Sequence, residues 1–396
     1  MISSRNTNAL VMQSGGCTPV LNRSLRGVVD EAQEKRAFGK ILGSVHGLEG
    51  IIRGDFRDLG AISPSTWTRI AQTPGAALGT TRRKMRPEEV SQVLQILSDG
   101  RIGFLFTIGG NDSAGTAHSL GMAAGQAGYS LTVMNIPKTI DNDLVLTDHS
   151  PGYGSAARFV ALAAIGAGQD ARAMGQASPI TIVEVMGRDA GWLAASATLA
   201  RREESDAPHL ICLPEVPVDE DRFVAAVEEA YRRHGFAVAV VAENTRGSAG
   251  VLGGQEEPWF VDDFGHPYYD GPARYLAGLV GRSLGVRVRY EKPGTIQRSF
   301  LSAVSRVDAR EAELTGRAAV SFALTGHQDE MVTLVRGFGP KYASTVGVAP
   351  LVKVAEGVKT MPKEYLDAEN YWVTDAFLNY VRPLIGAPLP RFASLI

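Results

Sequence analysis

Short apolar runs, each closed by glycine or polar residues, punctuate the chain at 9–12, 102–108, 131–136, 180–185, 210–213 and 236–242. All are of strand length, and such near-continuous apolar strands are those buried on both faces of a parallel sheet. Between them, apolar residues recur at helical spacing over 22–34, 87–97, 155–166 and 222–233. The second of these opens with Pro87-Glu88-Glu89, a favourable first helical turn. Strands alternating with helices predict parallel βαβ units. The stretch 250–271 is polar, aromatic and rich in Gly and Pro, and reads as a long surface loop. There is no internal repeat, and a domain change is placed at 148–154.

The residues that close these runs carry the chemistry, because ligands of open α/β sheets bind beyond the carboxyl ends of the strands. Pro137-Lys138-Thr139-Ile140-Asp141-Asn142-Asp143 sets a lysine and two carboxylates at one such end. A cation beside two acids suits a site holding phosphate with the lysine, a metal with one acid and a substrate hydroxyl with the other. An Asx-rich turn would use similar residues. Gly109-Gly110-Asn111-Asp112-Ser113 follows another run. Its glycines let backbone approach a phosphate, and the helix start offers free N–H groups; Asp112 or Ser113 could equally cap that helix. Asp112 places negative charge where phosphate would lie, so it needs a cation, and Lys138 is the candidate partner. The Gly15-Gly16 pair is a weaker signal, common at any βα turn.

Met186-Gly187-Arg188-Asp189 and Gly294-Thr295-Ile296-Gln297-Arg298 supply arginines, with Arg289 close by; the guanidinium fork matches phosphate and carboxylate. Glu243 closes a very apolar run and could accept sugar hydroxyls or cap a turn. Gly152-Tyr153-Gly154 reads as a turn into a helix. No Gly-x-x-x-x-Gly-Lys-Ser/Thr occurs, which disfavours a P-loop nucleotide site, and the dinucleotide fingerprint is incomplete. The histidines show no ligand spacing.

Composition narrows the class rather than the chemistry. The 396 residues, 44% hydrophobic and 21% charged, are ordinary for a globular chain, of two or three domains on the ~150-residue prior. A net charge of −2 gives no global field for nucleic acid or an anionic membrane. Two cysteines, Cys17 and Cys212, allow no disulfide framework, which suits a reducing cytoplasm. The polar stretch 1–8 lacks a signal-peptide core, and no apolar run approaches the ~20 residues of a membrane span.

Taken in order, Ser14-Gly15-Gly16…Asn22, Gly109-Gly110-Asn111-Asp112-Ser113, Pro137 to Asp143, Met186-Gly187-Arg188 and Gly294-x-x-Gln297-Arg298 resemble the 6-phosphofructokinases. Asp112 and Lys138, where ATP-using members typically have glycines, resemble the diphosphate-dependent branch. The resemblance implies an α/β fold of two Rossmann-like three-layer domains with mainly parallel sheets. Residues 1–150 plus roughly 297–350 would hold the phosphoryl donor; 151–296 plus roughly 351–396 would hold the sugar phosphate. It implies Asp141 as proton acceptor, aided by Lys138, Asp112 and Asp143. Thr139, Ile140, Met186, Gly187, Arg188, Glu243, Thr295 and Arg298 would bind fructose 6-phosphate, with Arg289 reaching it from a neighbouring subunit. Gly15, Gly16, Arg82, Gly110, Asp112, Ser113 and Lys138 would face diphosphate, with Arg83 an alternative to Arg82. Magnesium would bind at Asn111 and Asp143, in a homodimer or homotetramer. Asn111 departs from the aspartate of many members, Thr295 from a histidine and Pro179 from an arginine of ATP-using ones. The last leaves sedoheptulose 7-phosphate open as a second acceptor.

Overall fold

The apolar runs become the centres of two separate sheets. The structure, a computed structural model, describes residues 7–254, 257–258, 260–262, 265, 267–339, 341–393 and 395. The first sheet has seven strands, ordered Ser344–Pro350, Glu330–Arg336, Thr132–Pro137, Ile102–Gly109, Asn8–Gln13, Ile41–Ser44, Phe56–Asp58. Its inner strands are parallel, and its two outermost strands run antiparallel to their neighbours. The second has four parallel strands, ordered Val288–Glu291, Ile180–Val185, Ala237–Ala242, Leu210–Cys212. Apolar clusters cover both faces of each sheet, as parallel strands require.

Register sets the rim. Gln13 lies opposite Ile108, and Gly109 opposite Pro137. The turns that begin at residues 14, 110 and 138 therefore leave the first sheet side by side. In the second sheet Val185 lies opposite Ala242, so Met186 and Glu243 emerge together.

The helices follow local signals. Glu220–His234 starts on Asp219, whose carboxylate accepts the Arg222 N–H at 3.0 Å, and ends at Gly235 with φ 77°. Acids fill its first turn and bases its last, which suits the helix dipole. Tyr153–Met174 begins directly after Gly152, as the turn reading expected, but runs eight residues past 166. The stretch 250–271 carries two short strand pairings, Gly250–Val251 with Arg246–Gly247 just before it and Phe260–Val261 with Pro267–Tyr268.

The chain crosses between halves more than once. The helix Arg306–Leu324 returns to the first sheet and packs on Leu21–Glu34. Leu351 and Val354 belong to the first sheet's core, and Met361 to the second's. Among the described residues, no helix is long and apolar enough to cross a membrane.

Candidate functional site

The turn after the first strand makes the floor of a cradle. Gly15 has φ 79°, which glycine adopts without strain. A Cβ there would lie 3.1 Å from Lys138 Nζ, and one on Gly16 would lie 2.8 Å from Arg298 Nη1. Thr80 and Thr81 hold the turn: the Thr80 hydroxyl donates to Gly15 O at 2.7 Å, and Gly15 N–H to Thr81 O at 2.9 Å. Lys138 is 4% exposed and donates to Gly16 O at 2.6 Å. Burial pushes its pKa down to about 8, with Cys17 and Asp141 opposing that shift and Arg298 and Arg188 adding to it.

Beside this cradle the helix Asn111–Gln126 begins. Its N-cap is Gly110, which has no side chain, so no side-chain oxygen caps its first turn. Neither Asp112 nor Ser113 is the cap; both lie inside the first turn, and Ser113 is buried against Gly109. The free N–H groups remain open to an anion. Lys138 N–H donates to Gly109 O at 3.2 Å, which seats the lysine next to the glycine pair. The expected ion pair between Lys138 and Asp112 is absent among the described residues. The ammonium turns to the Gly16 carbonyl instead, an acceptor already fixed within reach.

Asp141 and Asp143 stand on either side of Asn142, which has φ 57°, a left-handed value that Asn tolerates better than most residues. The Thr139 hydroxyl accepts Asp141 N–H at 3.0 Å. Loss of hydration is the first cause of a raised Asp141 pKa, and the Asp143 charge is the second; Arg188 and Arg298 oppose them. An Oδ1 of each carboxylate is buried without a hydrogen-bond partner. Two orphaned oxygens are what a hydroxyl donor or a hard cation would satisfy. No three His, Cys, Asp or Glu side chains converge as a metal cage among the described residues, so an ion held here would take its remaining ligands from a substrate.

The second sheet supplies the facing wall. Arg188 N–H donates to Glu243 Oε1 at 3.0 Å, and Met186 N–H to Gln297 Oε1 at 3.2 Å. Gly187 has φ 135°, and a Cβ there would meet Ala190 O at 2.7 Å. Arg188, Arg298 and Glu243 all act on the charge of Asp141, so the two rims share one crevice.

Other expected residues lie apart. Ile140 is 5% exposed and packs in the second sheet's core; its side chain fixes the loop and is not free to meet a ligand. Thr295 is exposed. Arg82 pairs with Asp262 of the 250–271 stretch, and Arg83 with Glu89. Arg289 pairs with Asp170 and lies opposite Thr181, at the amino end of Ile180–Val185. Five residues of strand, ~17 Å, separate that level from Met186, so Arg289 does not join this chain's own crevice. The sequence reading missed Lys359, whose N–H donates to Asp143 O at 2.7 Å. It lies in a tail without a motif, and only tertiary contact reveals it.

A glycine-floored cradle with a lysine and paired carboxylates on one α/β sheet, faced by arginines and a glutamate from a second, has the make-up of a phosphoryl-transfer site. The chain belongs to the phosphofructokinase family, whose model matches residues 8–323. It is 39% identical over 388 residues to the pyrophosphate–fructose 6-phosphate 1-phosphotransferase of Rhodospirillum rubrum, covering 96% of this chain and 95% of that one. It is 36% identical to the protein of the same name from Xanthomonas campestris pv. campestris, covering 97% and 93%. The crystal structure of the pyrophosphate-dependent phosphofructokinase of Nitrosospira multiformis superimposes with a TM-score of 0.88 at 32% identity, covering 98% of this chain and 95% of that one.

Proposed function

We propose that this protein transfers a phosphoryl group from inorganic diphosphate to the 1-hydroxyl of D-fructose 6-phosphate, giving fructose 1,6-bisphosphate and phosphate. The observation that carries the donor assignment is the tight cradle of Lys138 Nζ, Gly15 and Gly16 beside an uncapped helix start. It suits a small, highly charged anion.

In this reading Lys138 and the N–H groups of the Asn111–Gln126 helix hold diphosphate oxygens. Asp112, in that helix's first turn, fills the space and adds the charge that would repel a nucleotide's α-phosphate. Thr139, Met186, Gly187, Arg188, Glu243 and Arg298 take the sugar phosphate. Asp141 accepts the proton of the sugar hydroxyl as its oxygen bonds to phosphorus and the bridging P–O bond breaks. Its raised pKa suits a general base. Positioning and charge stabilisation do most of the work, as in phosphoryl transfer generally. Magnesium, when bound, supplies neutralisation of the diphosphate charge. The orphaned Asp143 Oδ1 fits such a hard cation, and Asn111, whose Nδ2 is spent on Gly357 O, keeps its amide oxygen for the same role. The seven-stranded half would hold the donor and the four-stranded half the sugar.

We further propose a cytoplasmic homodimer or homotetramer. The free thiols of Cys17 and Cys212 suit a reducing compartment. Arg289 lies far from its own crevice on an edge strand, next to exposed Tyr290, which supports a role in a neighbour's sugar site.

The test is a purified-protein assay of fructose 1,6-bisphosphate with diphosphate or ATP as donor. Product formation with diphosphate and at most trace turnover with ATP is expected; comparable rates with ATP would overturn the donor assignment. Sedoheptulose 7-phosphate belongs in the same assay as an alternative acceptor.

A further inference from the structure

The segment 357–361 bonds to the two acid-bearing turns of the first half and to Trp192 and Glu215 of the second. Gly357 O accepts Asn111 Nδ2 at 3.0 Å. Lys359 N–H donates to Asp143 O at 2.7 Å. Lys359 Nζ donates to Asn142 Oδ1 at 3.3 Å, Thr147 O at 3.3 Å and Asp148 O at 2.9 Å. On the other half, Trp192 Nε1 donates to Lys359 O at 2.9 Å, and Met361 N–H to Glu215 Oε1 at 3.0 Å. The Lys359 ammonium also lies 5.0 Å from the centre of the Trp192 ring, within cation–π range.

We propose that Lys359 is a positioning residue for phosphoryl transfer: it ties the Asp141-Asn142-Asp143 turn from below and fixes where the two carboxylates stand. This rests on the reaction proposed above. Three observations carry it. All three ammonium donors are spent on the turn and the stretch that follows it, so the side chain holds backbone and is not itself aimed at a ligand. Asn142 has a left-handed backbone, a conformation that persists only where the surroundings over-determine it. Lys359 supplies part of that restraint, with Tyr380, whose hydroxyl accepts Asn142 Nδ2 at 2.9 Å and donates to Asp148 O at 2.8 Å. Finally, the same strap orients the Asn111 amide, so one segment sets the positions of Asn111, Asp141 and Asp143 relative to one another.

The test compares wild type with Lys359→Met, which keeps most of the aliphatic stem and loses the ammonium donors, and with Trp192→Phe, which loses the N–H to Lys359 O and keeps a smaller ring beside the ammonium. Turnover is normalised to sites that bind fructose 6-phosphate by calorimetry. Lys359→Met is expected to lower kcat about 100-fold, the order that an ångström of misplacement costs, with KM for fructose 6-phosphate within about threefold. Trp192→Phe should move kcat the same way by about fivefold. In hydrogen exchange, amides of 139–148 should exchange about tenfold faster in Lys359→Met, with both sheets unchanged. Unchanged kcat and unchanged protection of 139–148 would overturn the proposal, as would loss of protection spread over both sheets with kcat and KM failing together. Should Lys359→Met not fold, Trp192→Phe decides by the same two readouts. A wild type inactive with diphosphate would sink the reaction assigned above, while the exchange measurement would still decide the positioning role.

Discussion

At the scale of single residues, the proposed mechanism rests on two buried groups held away from their usual proton affinities in opposite directions. Burial and the neighbouring Asp143 raise Asp141, while burial lowers Lys138 to about 8. The base must be ionised and the ammonium protonated for transfer. The rate should therefore rise with pH through an acid limb above the ordinary carboxylate range and fall again near pH 8; a kcat/KM profile in diphosphate checks both limbs. Asp141→Ser removes the proposed proton acceptor and should lower kcat by about 10⁴-fold, with fructose 6-phosphate binding retained by calorimetry. Asp112→Gly removes the carboxylate but leaves Lys138 bonded to the Gly16 carbonyl in the same floor. ATP turnover should stay at trace level in that single variant and rise only when Lys138 is changed too. Efficient ATP use by Asp112→Gly alone would show that the lysine plays no part in donor choice. The charged residues of this site were legible from the chain because they follow apolar runs. Their hydrogen bonds were not, since the Lys138 acceptor comes from residues 122 positions away.

At the scale of elements, glycine decides two kinds of contact. Gly15 is needed for its positive φ and for the room it leaves Lys138, so Gly15→Ala should raise KM for diphosphate at least about tenfold with little change for the sugar. Gly27 and Gly316 do a different task. The helices Leu21–Glu34 and Arg306–Leu324 approach so closely that a Cβ on Gly316 would lie 2.1 Å from Ser24 O, and one on Gly27 2.2 Å from Glu313 O. Gly316→Ala forces the helices apart, an overpacking cost of ~1–3 kcal/mol. The melting temperature should fall by several degrees while the preference for diphosphate over ATP is kept; a changed donor ratio would mean that this contact reaches the site. Strand positions 102–108, 180–185 and 236–242 were readable because strands buried on both faces are apolar at most positions. Ile41–Ser44 and Phe56–Asp58 are short, and Phe56–Asp58 is the sheet's edge strand and largely exposed, so they leave no such run. The helix Arg306–Leu324 was missed although Ser305 caps it, because alanine and charged residues along it blur the apolar stripe.

At the scale of the molecule, catalysis needs two sheets to face each other and, in our reading, a second copy to complete the sugar site. Co-expressing Arg289→Ala with Asp141→Ser tests the second requirement. Each alone should be impaired, whereas mixed dimers regain one complete site, about a quarter of wild-type activity for random pairing. No gain over the single variants would return Arg289 to a structural role with Asp170. The chain by itself determined the alternating architecture, the glycine and acid clusters at strand ends and the charge pattern that separates a diphosphate from a nucleotide donor, because burial periodicity and short motifs are local properties. Only the tertiary structure decided that Ile140 belongs to the core, that Lys138 turns to Gly16 rather than Asp112, that Arg289 stands a strand's length from its own crevice and that Lys359 reaches back to the Asp141-Asn142-Asp143 turn. Those outcomes depend on sheet register and on contacts between residues more than a hundred positions apart, which no local pattern encodes.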